Sequence, residues 1–195
     1  MKVAALILAA GSARRFGTDK RGLRVNDEQT LLQYTVARYL AVFAPCLVVL
    51  REGDAIPARW QSLDHLRLVW QDDPHAGMGD NLALGVRHLQ SQDIDAIAVA
   101  LADMPLVRPD SLSLLERRAT ASEIIVPCHQ DRRGHPVVLG RAFFDSLMLM
   151  SGDVGARKLL AEHAPQVREL QLDDAGVIED VDTPADWLRV KSSLV

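Results

Sequence analysis

The sequence predicts one α/β domain spanning residues 1–195: a mainly parallel, mixed sheet in a three-layer arrangement with helices on both faces. Three observations predict it. Five short runs are almost continuously apolar, as strands covered on both faces must be. Longer segments with apolar residues three and four apart lie between them, which implies βαβ units. Length and composition agree. The 195 residues suit a single domain, and 48% hydrophobic with 25% charged residues is ordinary for a globular chain.

Taken in order, "VAALIL" (3–8) is the first strand, followed by a glycine- and arginine-containing loop, "AAGSARRFGTDK". "TLLQYTVARYLAVF" (30–43) carries helical spacing. "CLVVL" (46–50) and "LRLVW" (66–70) are the next strands, and "GDNLALGVRHLQ" (79–90) is the next helix. "AIAVAL" (96–101) is a buried strand, and "PDSLSLLERRA" (109–119) is a helix whose Pro109 suits a first turn, where its missing N–H has no partner in any case. "EIIVP" (123–127) is a strand. "RRGHPVVLG" (132–140) flanks a short strand with Gly and Pro and so reads as a small excursion or hairpin. "VIEDVDTPADWLRVKSSL" (177–194) reads as a strand and then a helix, with Thr183 as cap, Pro184 at the first position and Asp186 at the third. Trp60, Trp70 and Trp187 read as packing residues.

A net charge of −4 argues against a general nucleic-acid binder. The apolar start is shorter than the roughly 20 residues that span a bilayer and lacks a signal-peptide cleavage pattern, so no membrane partner and a cytoplasmic location are expected. Cys46 and Cys128 are far apart and form no CxxC, which suits reduced, packed thiols.

In an open α/β sheet, ligands bind beyond the carboxyl ends of the strands. Three loops would meet there: "AAGSARRFGTDK", "QDDPHAGMGDN" and "ADMP". The first is not a Walker A loop, because Phe16 stands five residues after Gly11 where a glycine is required. "GMGDNL" is not a dinucleotide fingerprint, because Leu82 replaces the third glycine. Gly11 and Gly17 still permit close backbone approach, and Arg14, Arg15 and Lys20 supply phosphate-gripping cations. Alone, that loop reads equally as an anion site or a solvated turn. Asp103 ends a buried strand at the site mouth, where it either holds Mg²⁺ or caps a turn before Pro105. Opposite a phosphate-gripping loop, the metal reading is the better one.

"LAAGSARRFGTDK" resembles the signature loop of the molybdenum-cofactor nucleotidyltransferases, LA(A/G)G-x-x-x-R-x-G-x-x-K, through Leu8–Gly11, Arg15, Gly17 and Lys20. The likeness continues in "GMGDNLALGV", "ADMP", "GHPV", "GDVGAR" and "DVDTPAD", in order along nearly the whole chain. The resemblance implies a single Rossmann-like domain of the nucleotide-diphospho-sugar transferase type. It implies transfer of a nucleoside monophosphate from an NTP to the phosphate of molybdopterin, with pyrophosphate leaving. By that resemblance Lys20, Arg15 and Asp103 are catalytic, and Asp103 with Asp182 (Asp180 as rival) holds Mg²⁺. Leu8, Ala9, Ala10, Gly11, Gly17, Lys20, Gly77, Gly79, Asp80, Asn81 and Asp103 bind the nucleotide, and His135 and Arg157 face the acceptor.

Ala10 favours CTP over GTP, since the family pairs LAAG with cytidylyl transfer and a Cβ there narrows a base pocket. Asp80 stands where many relatives carry serine, and reads equally as a ligand-side carboxylate or a cap for the following helix. Asp153 reads as a helix cap, and His75 as structural or solvent-facing. Three other functions compete: GTP use, a sugar- or polyol-phosphate acceptor, and a cofactor-delivery chaperone without turnover serving a molybdoenzyme client.

Overall fold

The computed structural model describes residues 1–11, 16, 19–153 and 155–194. The elements are β1 (Val3–Leu8), α1 (Leu31–Leu40), β2 (Cys46–Arg51), β3 (Leu66–Gln71), α2 (Met78–Leu89) and β4 (Ala96–Leu101). There follow α3 (Pro109–Arg118), β5 (Ile124–His129), β6 (Arg132–Arg133), β7 (Val137–Gly140), α4 (Phe144–Met148), α5 (Arg157–Glu162), β8 (Val167–Gln171) and α6 (Pro184–Ser192). All belong to one sheet and its covering helices. The order is β3-β2-β1-β4-β7-β5, with β6 and β8 also paired to β5. β1, β2, β3 and β4 run parallel, β8 runs parallel to β5, and β7 enters antiparallel between β4 and β5.

Two apolar layers sandwich the sheet. Val3, Ala5 and Ile7 of β1 face Leu32, Val36 and Tyr39 of α1 and Leu112 and Leu115 of α3. Ala4 and Leu6 face Leu82, Val86 and Leu89 of α2 and, farther along, Phe144 and Leu147 of α4. Alternate residues of the same strand thus serve opposite layers, which is why "VAALIL" must be apolar throughout. Each fully buried Leu or Val contributes about 1.5–3 kcal/mol.

A third, smaller cluster matters for function. Val25, Leu31, Val181 and Val190 pack together and dock α6 beside the segment that follows Lys20. Thr30 and Thr183 both form capping boxes, with Gln33 and Asp186 respectively, and so fix where α1 and α6 start.

Four sequence expectations need correction. Residues 177–182 form no strand: Ala175–Ile178 is a 3-10 turn, and the chain then runs extended to Thr183. β8, "VRELQ", was not anticipated, because it is mostly exposed and lacks an apolar run. Trp70 is 43% exposed, near the end of the edge strand β3. Asp153 caps no helix, since α5 begins at Arg157 with Ala156 before it. Trp60 and both cysteines are buried as expected, and the cysteines are free thiols. β5 and β6 form the expected hairpin, turning at Gln130 and Asp131, both with positive φ. No helix among the described residues is long and apolar enough to cross a membrane.

Candidate functional site

β1 leads to β2 on one side of the sheet, whereas β4 lies on its other side, so strand order switches between β1 and β4. A cavity of about 890 Å³ opens over their carboxyl ends. Leu8, Ala9, Ala10 and Gly11 line it from β1, and Leu101, Ala102 and Asp103 from β4. Gln71, Asp72, Asp73, His75 and Gly77 come from the loop after β3, Arg51 and Glu52 from the end of β2, and Asp182 from the loop before α6.

Lys20 crosses this opening. Its Nζ donates to Asp103 Oδ2 at 2.6 Å and to Asp182 Oδ1 at 2.9 Å. The lysine and Asp103 side chains are 13% and 19% exposed, so water screens the contact poorly. Burial by itself lowers the Lys20 ammonium, but Asp103 and Asp182 outweigh it and hold the group above its ordinary value. The ammonium therefore stays charged throughout the physiological range.

Two acids meet because two distant segments are stitched together. The Val181 N–H donates to the Asp103 carbonyl at 3.0 Å, while the Val181 side chain anchors in the small cluster with Val25 and Leu31. That bond places Asp180 and Asp182 on either side of Val181, next to Asp103. Ligand oxygens of Asp103, Asp180 and Asp182 lie within 4.8 Å of one another. Desolvation, then the charges of Asp182 and Asp103, raise the Asp180 carboxyl above the usual carboxylate range. Asp103 Oδ1 is buried and has no hydrogen-bond partner among the described residues, an arrangement that costs about 1–3 kcal/mol unless a ligand satisfies it. His135 lies behind the acids. Its Nδ1 is 3.4 Å from the Val99 carbonyl, and burial holds the imidazole below its ordinary value despite Asp103 and Asp180.

The neighbouring wall is built on Arg21, which is only 8% exposed. Its guanidinium donates to the Ala9 carbonyl at 2.6 Å, to both Asp19 oxygens and to both Asp54 oxygens. The Arg21 hydrogen bonds, against the cost of burial, hold the Asp19 carboxyl down at about 2. Ala9 also donates its N–H to the Val49 carbonyl at 2.9 Å. Both Ala9 peptide groups are therefore paired within the protein, and Ala10 and Gly11 continue along the cavity. A Cβ on Gly11 would meet nothing among the described residues within 4 Å.

Asp80 resolves to the cap. It accepts from the Gly77 N–H at 2.8 Å and from the Gly152 N–H at 2.9 Å, and it does not line the cavity. Gly79 also lies outside the lining and donates its N–H to the Gly152 carbonyl at 2.7 Å. A Cβ on Gly77 or Gly79 would sit 2.3 Å or 2.8 Å from the backbone at Gly152 or Ser151. These glycines let the 151–153 segment lie on the start of α2, and Asp153 lines the cavity as a result. Replacing Asp80 by Ala removes both bonds. Stability should fall by about 1–3 kcal/mol, which thermal unfolding should register as a Tm lower by about 5 °C. An unchanged Tm would contradict the clamp.

Of the expected site residues, Leu8, Ala9, Ala10, Gly11, Lys20, Gly77, Asn81, Asp103 and Asp182 line one cavity. Arg15 and Gly17 lie outside the described residues. His135 and Arg157 do not line it; Arg157 is exposed at the start of α5. Sequence reasoning missed Arg21, Arg51, Asp72 and Asp73, and it placed His75 outside the site. The loop after β2 leaves its strand at the same edge as the others, which is the signal for Arg51. For Arg21 the signal is its place beside Lys20, with Asp19 on the lysine's other side.

Comparison with known proteins extends this picture. The family profile described as MobA-like NTP transferase domain matches residues 5–167. A probable molybdenum cofactor guanylyltransferase of Chloroflexus aggregans is 34% identical over 129 residues, 65% of this chain and 58% of its own length. The purine catabolism protein PucB of Bacillus subtilis is 25% identical over 198 residues, covering 97% of this chain and 96% of its own. The crystal structure of Rv0371c from Mycobacterium tuberculosis superposes with a TM-score of 0.84 at 28% identity, covering 98% of this chain and 99% of that one.

Proposed function

The chain belongs to the family of MobA-like NTP transferase domains, and on that premise we propose that it transfers a nucleoside monophosphate from an NTP to the phosphate of a molybdopterin-type acceptor. Its fold is of the nucleotide-diphospho-sugar transferase type that the sequence led us to expect. The observation that carries the proposal is Lys20 spanning Asp103 and Asp182 at the mouth of the cavity.

In this reading an acceptor phosphate oxygen attacks the α-phosphorus of the NTP. The bond from that phosphorus to the bridging α–β oxygen breaks, and pyrophosphate leaves with its electron pair. Such reactions depend on positioning and charge neutralisation rather than on covalent help from the protein. Lys20 supplies a buried cation that stabilises the triphosphate as charge builds on the leaving group. The loop motif assigns Arg15 a part in the same charge neutralisation. Ala10 and Gly11 approach the base, and Asn81, held by the Gln71 amide at 3.2 Å, lines the same wall.

The residues fit a magnesium ion. Three carboxylates converge, and one buried oxygen of Asp103 has no partner among the described residues. Asp103 and Asp182 would hold the ion, with Asp180 alongside. Bound there, Mg²⁺ supplies Lewis-acid polarisation of the phosphate. The acceptor side is assigned to the segment from Asp153, which lines the cavity, to Arg157 at the start of α5. His135 contributes from behind the acids as a neutral group.

For the base, CTP is the first choice. Ala10 lines the cavity at the β1 exit and adds a methyl group where glycine would leave room. GTP is the second reading, favoured by the name of the Chloroflexus relative. Turnover should be measured with each NTP, Mg²⁺ and either molybdopterin or a panel of sugar phosphates, following pyrophosphate. CTP with molybdopterin is expected to be fastest. A clear GTP preference would reverse the choice of base, and a sugar-phosphate preference the choice of acceptor. Absence of pyrophosphate with every pair would favour a delivery protein serving a molybdoenzyme.

A further inference from the structure

We propose that Arg21 is a positioning residue, which staples Ala9, Asp19 and Asp54 together so that the turn carrying Lys20 is already placed for a triphosphate. The inference deepens the nucleotide-transfer reading and rests on it. Arg21 grips the Ala9 carbonyl at the exit of β1 and the Asp19 carboxylate just before Lys20. It grips a third point as well. Asp54 takes two guanidinium bonds, at 2.5 and 2.7 Å, and also accepts the Arg51 N–H at 2.8 Å, which fixes the end of β2. Arg51 in turn reaches Asp19 at 2.7 Å.

Each of the five guanidinium donors is used. A lysine, with three donors on a single nitrogen, cannot join three segments in this planar geometry. Arg21 also lies in the same 3-10 turn as Lys20, Lys20–Gly22, so anchoring its side chain fixes the backbone from which the Lys20 ammonium reaches. Burying a cation between two carboxylates is a poor way to add stability alone, because desolvation consumes most of the Coulombic gain. It is an effective way to hold one geometry. A lysine whose backbone is already fixed loses less conformational freedom when it engages a polyanion, and that difference appears as affinity.

The test compares wild type with Arg21→Met, Arg21→Lys and Asp54→Asn. Fold is checked by near-UV circular dichroism and Tm, binding by calorimetric titration of inorganic tripolyphosphate and of each NTP, and turnover by pyrophosphate release. Arg21→Met is expected to weaken tripolyphosphate binding and raise the NTP KM by about 10- to 100-fold, with kcat at saturation changed much less. Arg21→Lys should resemble it, and Asp54→Asn should fall between. Guanidinium at sub-denaturing concentration should restore part of the affinity in Arg21→Met and leave wild type unchanged, which a general loss of stability would not reproduce. Folded variants that bind as wild type does would overturn the inference, as would a loss with no split between KM and kcat. If Arg21→Met does not fold, Asp54→Asn decides on the same criteria. Wild type that binds tripolyphosphate and NTPs but transfers nothing would overturn the transfer reading and leave the staple standing. Wild type that binds neither would overturn both.

Discussion

Lys20→Met should reduce nucleotidyl transfer by about 10²- to 10³-fold, the scale expected when one preorganised charge partner of a phosphoryl transition state is removed. Its effect on the resting protein should be equally informative. Lys20 is bonded to Asp103 and Asp182, and Asp180 lies within the same cluster. Without the ammonium, three carboxylates share one partly buried site. Breaking a buried pair in this way costs about 3 kcal/mol or more. Added Mg²⁺ or Mn²⁺ should recover part of that loss, raising the Tm of Lys20→Met more than that of wild type. Differential scanning calorimetry with and without the cation measures it. Activity close to wild type would remove Lys20 from the chemistry, and an unchanged Tm would deny the electrostatic account.

Asp103→Asn should also cost turnover about 10²-fold or more, but with the opposite sign in cation binding. Asp103 gives Lys20 one oxygen and keeps the other buried, without a partner among the described residues. The amide is nearly isosteric, so the fold should hold. The charge that draws a divalent cation is lost, and the orphaned acceptor position can become an N–H donor facing the other carboxylates. Titration with Mn²⁺ should therefore show weaker binding than wild type, whereas Lys20→Met should show tighter binding. Equal cation affinity in all three proteins would refute the shared role assigned to the cluster.

Much of this architecture was legible from local pattern. "VAALIL" and "AIAVAL" announced central strands because both of their faces are covered. Thr183 was readable as a helix start, because a capping box closes within four residues. The exposed β8 was not, since a strand held mainly by backbone pairing to β5 needs no apolar run. The extended stretch after Ile178 looked like a strand. Its Val181 N–H instead donates to the Asp103 carbonyl, and that bond assembles the acid cluster.

The sequence by itself determined the order of elements from β1 to β5, the cationic loop behind β1, and Asp103 at the tip of β4. Each depends on neighbours close in the chain. Only the tertiary structure decided what Asp80 and Arg21 do. Asp80 is claimed by the Gly152 N–H, 72 residues away. Arg21 is claimed by Ala9 and Asp54, which follow the carboxyl ends of two neighbouring strands. A buried charge takes its role from whichever partners satisfy it, and those partners become neighbours only once the sheet has formed.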